Sequence, residues 1–105
     1  MLAIQNFLLN KNSISYIEPN SFFDIKKFDE FEFGLNYLKL AYLDTGTFIG
    51  LENFNGYLNL EYNQLKILKT KCFIGLKKLK FLSISYNTIK YIENEAFFEL
   101  NNLEN

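Results

Sequence analysis

The residues best equipped for chemistry in this 105-residue chain are Asp44-Thr45-Gly46-Thr47 and Cys72. An aspartate held in such a turn can share a proton with a second carboxylate and activate water for hydrolysis. A chain of this size would need a second copy to supply that partner. A lone thiol becomes a nucleophile only where neighbouring cations hold it as thiolate, and Cys72 has nothing cationic near it in sequence beyond Lys69 and Lys71. Histidine is absent, which removes Ser-His and Cys-His pairs and imidazole metal ligands. The carboxylates are scattered rather than spaced as a calcium loop. Gly46 and Gly50 precede no Lys-Ser/Thr pair, so there is no phosphate loop. No cofactor or metal is expected.

Composition narrows the remaining classes. The chain is 49% hydrophobic and 18% aromatic with a formal charge of -1, which fits one packed domain rather than a disordered segment. All eleven basic residues are lysine, and the charge balance gives nucleic acid no electrostatic footing. No apolar run approaches the roughly 20 residues that a membrane helix needs, so no direct membrane insertion is expected. The opening MLAIQNFLLN has no basic residue before Lys11 and is interrupted by Gln5 and Asn6, a poor pattern for a signal peptide. One cysteine excludes an internal disulfide and leaves the redox compartment unread.

The elements that must position these residues emerge from self-similarity along the chain. Leu76, Leu79, Leu82 and Ile84 are followed by Asn87, then by Ile89, Ile92, Phe97 and Leu100. The same beat gives Leu58, Leu60, Asn63, Leu65, Leu68, Phe73 and Leu76 one unit earlier, and Met1, Ile4, Phe7, Leu9, Asn12, Ile14, Ile17, Phe22 and Ile25 at the start. The second unit reads Ile25, Phe28, Phe31, Phe33, Asn36 and Leu38, then takes two extra residues to reach Leu43, Phe48 and Leu51. The third takes one extra residue before Leu58. The units are thus 1–24, 25–50, 51–75 and 76–99, with a stub at 100–105.

These residues resemble the leucine-rich repeat family, whose pattern is L-x-x-L-x-L-x-x-N-x-L, in its 24-residue form with a later phenylalanine. The resemblance covers essentially the whole chain. It implies an α/β solenoid: a right-handed coil with a short parallel β-sheet on the concave face and irregular, 3-10 or short helical convex segments. Each unit is expected to supply one short strand, because pairs such as Leu82 and Ile84 have the period of a strand with one buried face. Asn12, Asn36, Asn63 and Asn87 are implied to form a ladder of side chains that satisfies backbone groups turned away from water. Phe22, Phe48, Phe73 and Phe97 are implied to stack as an aromatic spine. Gly50 and Gly75, two residues past their phenylalanines, suit tight return turns.

The repeat also weighs on the two candidate chemistries. Asp44-Thr45-Gly46-Thr47 resembles the D-T-G-[ST] signature of aspartic proteases, but it fills the slot before the spine phenylalanine that Glu18-Pro19-Asn20-Ser21, Lys69-Thr70-Lys71-Cys72 and Glu93-Asn94-Glu95-Ala96 fill elsewhere. A variable surface loop accounts for it. The residue before each spine phenylalanine is small, Ser21, Thr47, Cys72 or Ala96, so Cys72 is expected in a tight, partly buried position. The chain is not expected to be an enzyme.

Function is then expected on the strand positions that the repeat leaves free. These are Gln5, Asn6, Leu8, Asn10 and Lys11; Asp29, Glu30, Glu32 and Leu35; Tyr57, Asn59, Glu61 and Tyr62; Lys80, Phe81, Ser83, Ser85 and Tyr86. The expected binding set is Glu30, Glu32, Asn59, Glu61, Tyr62, Phe81, Ser83, Ser85 and Tyr86. Aromatics beside carboxylates suit a protein or peptide with a basic or apolar anchor. Neither end carries a polar capping unit, so further repeats are expected at both ends. The resemblance favours a receptor-like or secreted protein at the cell surface or outside the cell; an intracellular scaffold in the cytoplasm is the alternative. There is no N-x-S/T sequon.

Overall fold

The computed structural model describes residues 14–23 and 31–105. Among the described residues six short strands alternate between two ladders. Strands β1 (Glu32–Gly34), β3 (Tyr57–Asn59) and β5 (Phe81–Ser83) form one parallel sheet in that order. Strands β2 (Tyr42–Leu43), β4 (Ile67–Leu68) and β6 (Tyr91–Ile92) form a second, also parallel. Parallel pairing follows from the repeat itself, because each unit returns to its starting side before the next strand begins. The second ladder departs from the expectation of one strand per unit. Its cause is local: Tyr42-Leu43, Ile67-Leu68 and Tyr91-Ile92 are β-formers in equal register, so their backbones pair as well.

Between the ladders the chain is built from successive turns, with no helix among the described residues. In one unit Thr47 N–H donates to Asp44 O, Ile49 to Gly46, Leu51 to Phe48 and Phe54 to Leu51. Left-handed residues let these turns follow one another closely. Gly46 (φ 89°), Lys71 (φ 54°) and Glu95 (φ 60°) hold one repeated position, and Gly50 (φ 112°) and Gly75 (φ 103°) another. At Gly50 a Cβ would also stand 2.1 Å from the Phe22 carbonyl oxygen, so the close approach of neighbouring units depends on its having no side chain.

The core lies between the ladders. Phe33, Leu35, Leu58, Leu60, Leu65, Leu68, Phe73 and Leu79 are among its fully buried members. The four spine phenylalanines stack in sequence: Phe22 on Phe48 at 6.2 Å, Phe48 on Phe73 at 6.1 Å, and Phe73 on Phe97 at 5.9 Å, all within 13° of parallel. Phe97 is 45% exposed where Phe73 is sealed: among the described residues Phe97 has one stacking partner and Phe73 has two.

The second unit has a different register from the one expected. Phe33 pairs with Leu58 and Gly34 with Asn59, so the two extra residues precede Phe33 instead of following Leu38. Phe31, expected in the core, is 62% exposed. Leu35, expected on the outer face, is fully buried. A shift of two residues preserves strand alternation, so Phe31/Phe33 and Phe33/Leu35 look equally good in sequence. The buried leucines downstream decide between them: Leu43 pairs with Leu68, and constant spacing from Phe33 onward keeps Leu38, Leu40 and Leu43 all inside.

Asn36 therefore leaves the asparagine ladder. Its neighbour across the sheet is Glu61, with Ser85 one strand further on, and Leu38 stands where Asn63 stands in the next unit. The Asn36 Oδ1 atom is buried without a hydrogen-bond partner. Asn63 serves the turn of the preceding unit instead: its Oδ1 accepts from the N–H groups of Leu38, Lys39 and Leu40 at 3.0, 3.0 and 3.1 Å. Its Nδ2 donates to Leu35 O at 2.9 Å and Leu60 O at 3.0 Å. Asn87 repeats part of this pattern, accepting from Leu65 N–H and donating to Leu60 O and Ile84 O. Asn12 lies outside the described residues.

Candidate interaction face

Strand alternation sends Phe33/Leu58/Leu82 and Leu35/Leu60/Ile84 inward and leaves three cross-strand rows on the other face of the first sheet. The first row is Glu32, Tyr57 and Phe81, and the second is Gly34, Asn59 and Ser83. Continuing the register gives Asn36, Glu61 and Ser85 as the third. The middle row is a floor of small side chains between two rows of larger ones.

Hydrogen bonds hold the polar members. Asn59 Nδ2 donates to Glu32 Oε2 at 3.0 Å, and Asn59 Oδ1 accepts from Glu61 N–H at 3.0 Å. Ser83 Oγ donates to Glu61 Oε2 at 2.5 Å. Burial raises the Tyr57 phenol above its ordinary pKa, and the negative charge of Glu61 adds to the effect. A cavity of 640 Å³ opens beside these rows, lined in part by Phe31, Tyr57, Phe81, Ser83 and Ser85.

A column of tyrosines borders the third row. Tyr37 stacks on Tyr62 with ring centroids 4.6 Å apart, and Tyr62 on Tyr86 at 4.3 Å, within 6° of parallel. All three have left-handed backbone, φ 62°, 59° and 61°. Each stands at the turn that leaves its strand, which aims the rings alike. Tyr86 is 67% exposed. Burial between its neighbours is the main cause of a raised Tyr62 pKa.

Of the residues expected to bind, Glu32, Asn59, Glu61, Tyr62, Phe81, Ser83, Ser85 and Tyr86 meet on this one face; Glu30 lies outside the described residues. Tyr37 was missed because the misplaced register put Leu35 opposite Tyr62. The signal was available: Tyr37-Leu38, Tyr62-Asn63 and Tyr86-Asn87 align once the unit is counted from Phe33. Tyr57 stands in the first row, flanked by Glu32 and Phe81.

Asp44 is elsewhere, after β2, and its carboxylate is engaged. Tyr16 Oη donates to Oδ2 at 2.6 Å and Lys69 Nζ approaches Oδ1 at 3.3 Å. The Tyr16 hydrogen bond chiefly, with Lys69 beside it, holds the Asp44 carboxyl below its usual pKa, while Tyr16 is pushed up to about 12. A proton-sharing carboxylate would be raised instead. The glycine of Asp44-Thr45-Gly46-Thr47 is there for its left-handed turn, and Thr45 Oγ1 and Thr47 Oγ1 are spent on Thr70 O and Asp44 O. Cys72 is buried, its thiol donates to Ala96 O at 3.8 Å, and burial pushes its pKa up to about 12. Among the described residues no cluster of side chains suits a metal. No helix there is long and apolar enough to cross a membrane.

Sequence comparison agrees with the repeated geometry. A family profile described as Leucine rich repeat matches residues 32–87 and again 56–105. The chain belongs to the leucine-rich repeat family. The family implies a solenoid-like fold and an interaction module, in keeping with the two parallel ladders. One similar protein is Toll-like receptor 3 of Boselaphus tragocamelus, 29% identical over 82 residues. The alignment covers 78% of this chain and 9% of that receptor, so this leucine-rich repeat chain spans a small part of the relative's length. No solved structure matches.

Proposed function

We propose that this chain is part of a solenoid receptor ectodomain and binds a protein or peptide through the outer, concave face of its first sheet. The observation that carries the reading is the division of labour along each unit. The buried leucines, the phenylalanine spine, Asn63 and Asn87 serve the frame. Glu32, Tyr57, Glu61 and the tyrosine column sit together on the opposite face, where burial asks nothing of them. A rigid sheet presenting aromatic anchors among hydrogen-bonded polar groups is what recognition of a protein surface uses. Similarity to a protein named as a receptor supports placement at the cell surface or outside the cell.

Panning a random peptide library against the parent chain and against a Tyr62→Ala/Tyr86→Ala variant tests this. The double change removes both ring stackings and should cost about 1–2 kcal/mol of stability, leaving the frame folded. The parent should enrich peptide families that the folded double variant does not hold. Equal enrichment by the two proteins would remove the face from the account.

A further inference from the structure

The chemistry of this face is specific enough to name the side chain it fits. Two carboxylates, Glu32 and Glu61, stand on it, and among the described residues neither meets a cation; Lys69 pairs instead with Asp44. Each is oriented by a neutral donor, Asn59 for Glu32 and Ser83 for Glu61. Lys80 precedes β5, at the opposite end from the row that Glu61 shares with Ser85. The 640 Å³ cavity is lined by the rings of Phe31, Tyr57 and Phe81 together with Leu82, Ser83, Ile84, Ser85 and Asn105, and Phe31 and Phe81 stand 5.8 Å apart, tilted by 55°. Neither glutamate lines the cavity, but Ser83 in its wall bonds Glu61, and the charges of Glu61 and Glu32 both reach the Tyr57 phenol. Aromatic surface beside carboxylates calls for a long apolar stem with a cationic tip.

We infer that the face takes an arginine side chain presented by an extended segment of a protein partner. Its methylenes lie along Phe31, Tyr57 and Phe81, and its guanidinium meets Glu61, with Glu32 as the second carboxylate. Arginine fits better than lysine because a planar guanidinium stacks on aromatic rings and bonds a carboxylate through two N–H groups at once. The inference rests on the interaction-module reading and adds the ligand chemistry to it.

The probe is a labelled hexa-arginine peptide, titrated into the full chain at physiological salt, beside hexa-citrulline, which keeps the shape and hydrogen-bonding groups without the charge. Hexa-arginine should bind, and citrulline should bind at least about tenfold more weakly, the ratio expected for losing a charge-assisted hydrogen bond. Glu61→Gln should weaken hexa-arginine by about the same factor, while Glu95→Gln, on the turn side, should leave it unchanged. Absence of hexa-arginine binding, or equal weakening by Glu61→Gln and Glu95→Gln, overturns the inference. If library peptides depend on Tyr62 and Tyr86 but show no arginine dependence, the arginine assignment falls and the interaction module stands.

Discussion

Replacing Asn63 with leucine is expected to lower the unfolding free energy by about 4 kcal/mol, since several buried backbone groups lose their partner together. The Asn63 amide accepts from three consecutive N–H groups of the preceding unit and donates to carbonyls of two units. Leucine matches the volume but offers no polar atom, and the N–H groups of Leu38 and Leu40 are buried where water does not substitute. Asn87→Leu should cost about half as much, because Asn87 is only half-buried and serves a single N–H. Asn36→Leu provides the contrast. Its carbonyl oxygen is already buried and unpaired, so the change should be neutral within about 0.5 kcal/mol or mildly stabilising. Chemical denaturation of the three variants checks the order. Equal losses at Asn36 and Asn63 would mean that both belong to one ladder and that the register described here is wrong.

Phe73→Ala should be comparably damaging, at about 4 kcal/mol, through lost burial and the cavity left between two other rings. Phe73 is fully buried and stacks on Phe48 and on Phe97. Phe97→Ala should cost about half of that, because only one of its faces is covered. The comparison reads out cooperativity between units, since a ring shared by two neighbours stabilises both. Equal melting shifts for the two variants would contradict a spine whose strength comes from stacking on each side.

The repeat made much of this frame legible. Leu58, Leu60, Leu65, Leu68 and Phe73 follow one spacing, and physics allows few ways to bury such a pattern. What the spacing could not resolve was a shift by an even number of residues. Phe31, Phe33 and Leu35 alternate alike, and Asn36 happens to fall three residues after Phe33. Long-range pairing separates the options, through Leu58 opposite Phe33 and Tyr62 stacked on Tyr37. The same error hid the third tyrosine of the column. The second ladder was invisible for another reason: strands of two residues carry too little alternation to stand out from the surrounding turns.

The outer face was legible as a position but not as a surface. Alternation places Glu32, Asn59, Glu61 and Ser83 there, yet their mutual hydrogen bonds depend on which residues face each other across the sheet. Asp44-Thr45-Gly46-Thr47 shows the converse. Its four residues spell a catalytic signature, while its glycine serves a left-handed turn and its carboxylate is tied to Tyr16 and Lys69. A motif acquires its meaning from the backbone it sits on.

The central claim is that the frame residues build the sheet and the three outward rows, with their tyrosine border, do the recognising. Amide chemical-shift mapping with a library-enriched peptide tests it most directly. The account predicts shifts confined to residues 31–37, 57–62 and 81–86. Shifts centred on the turns at 44–50 and 69–75, with those strands silent, would contradict it.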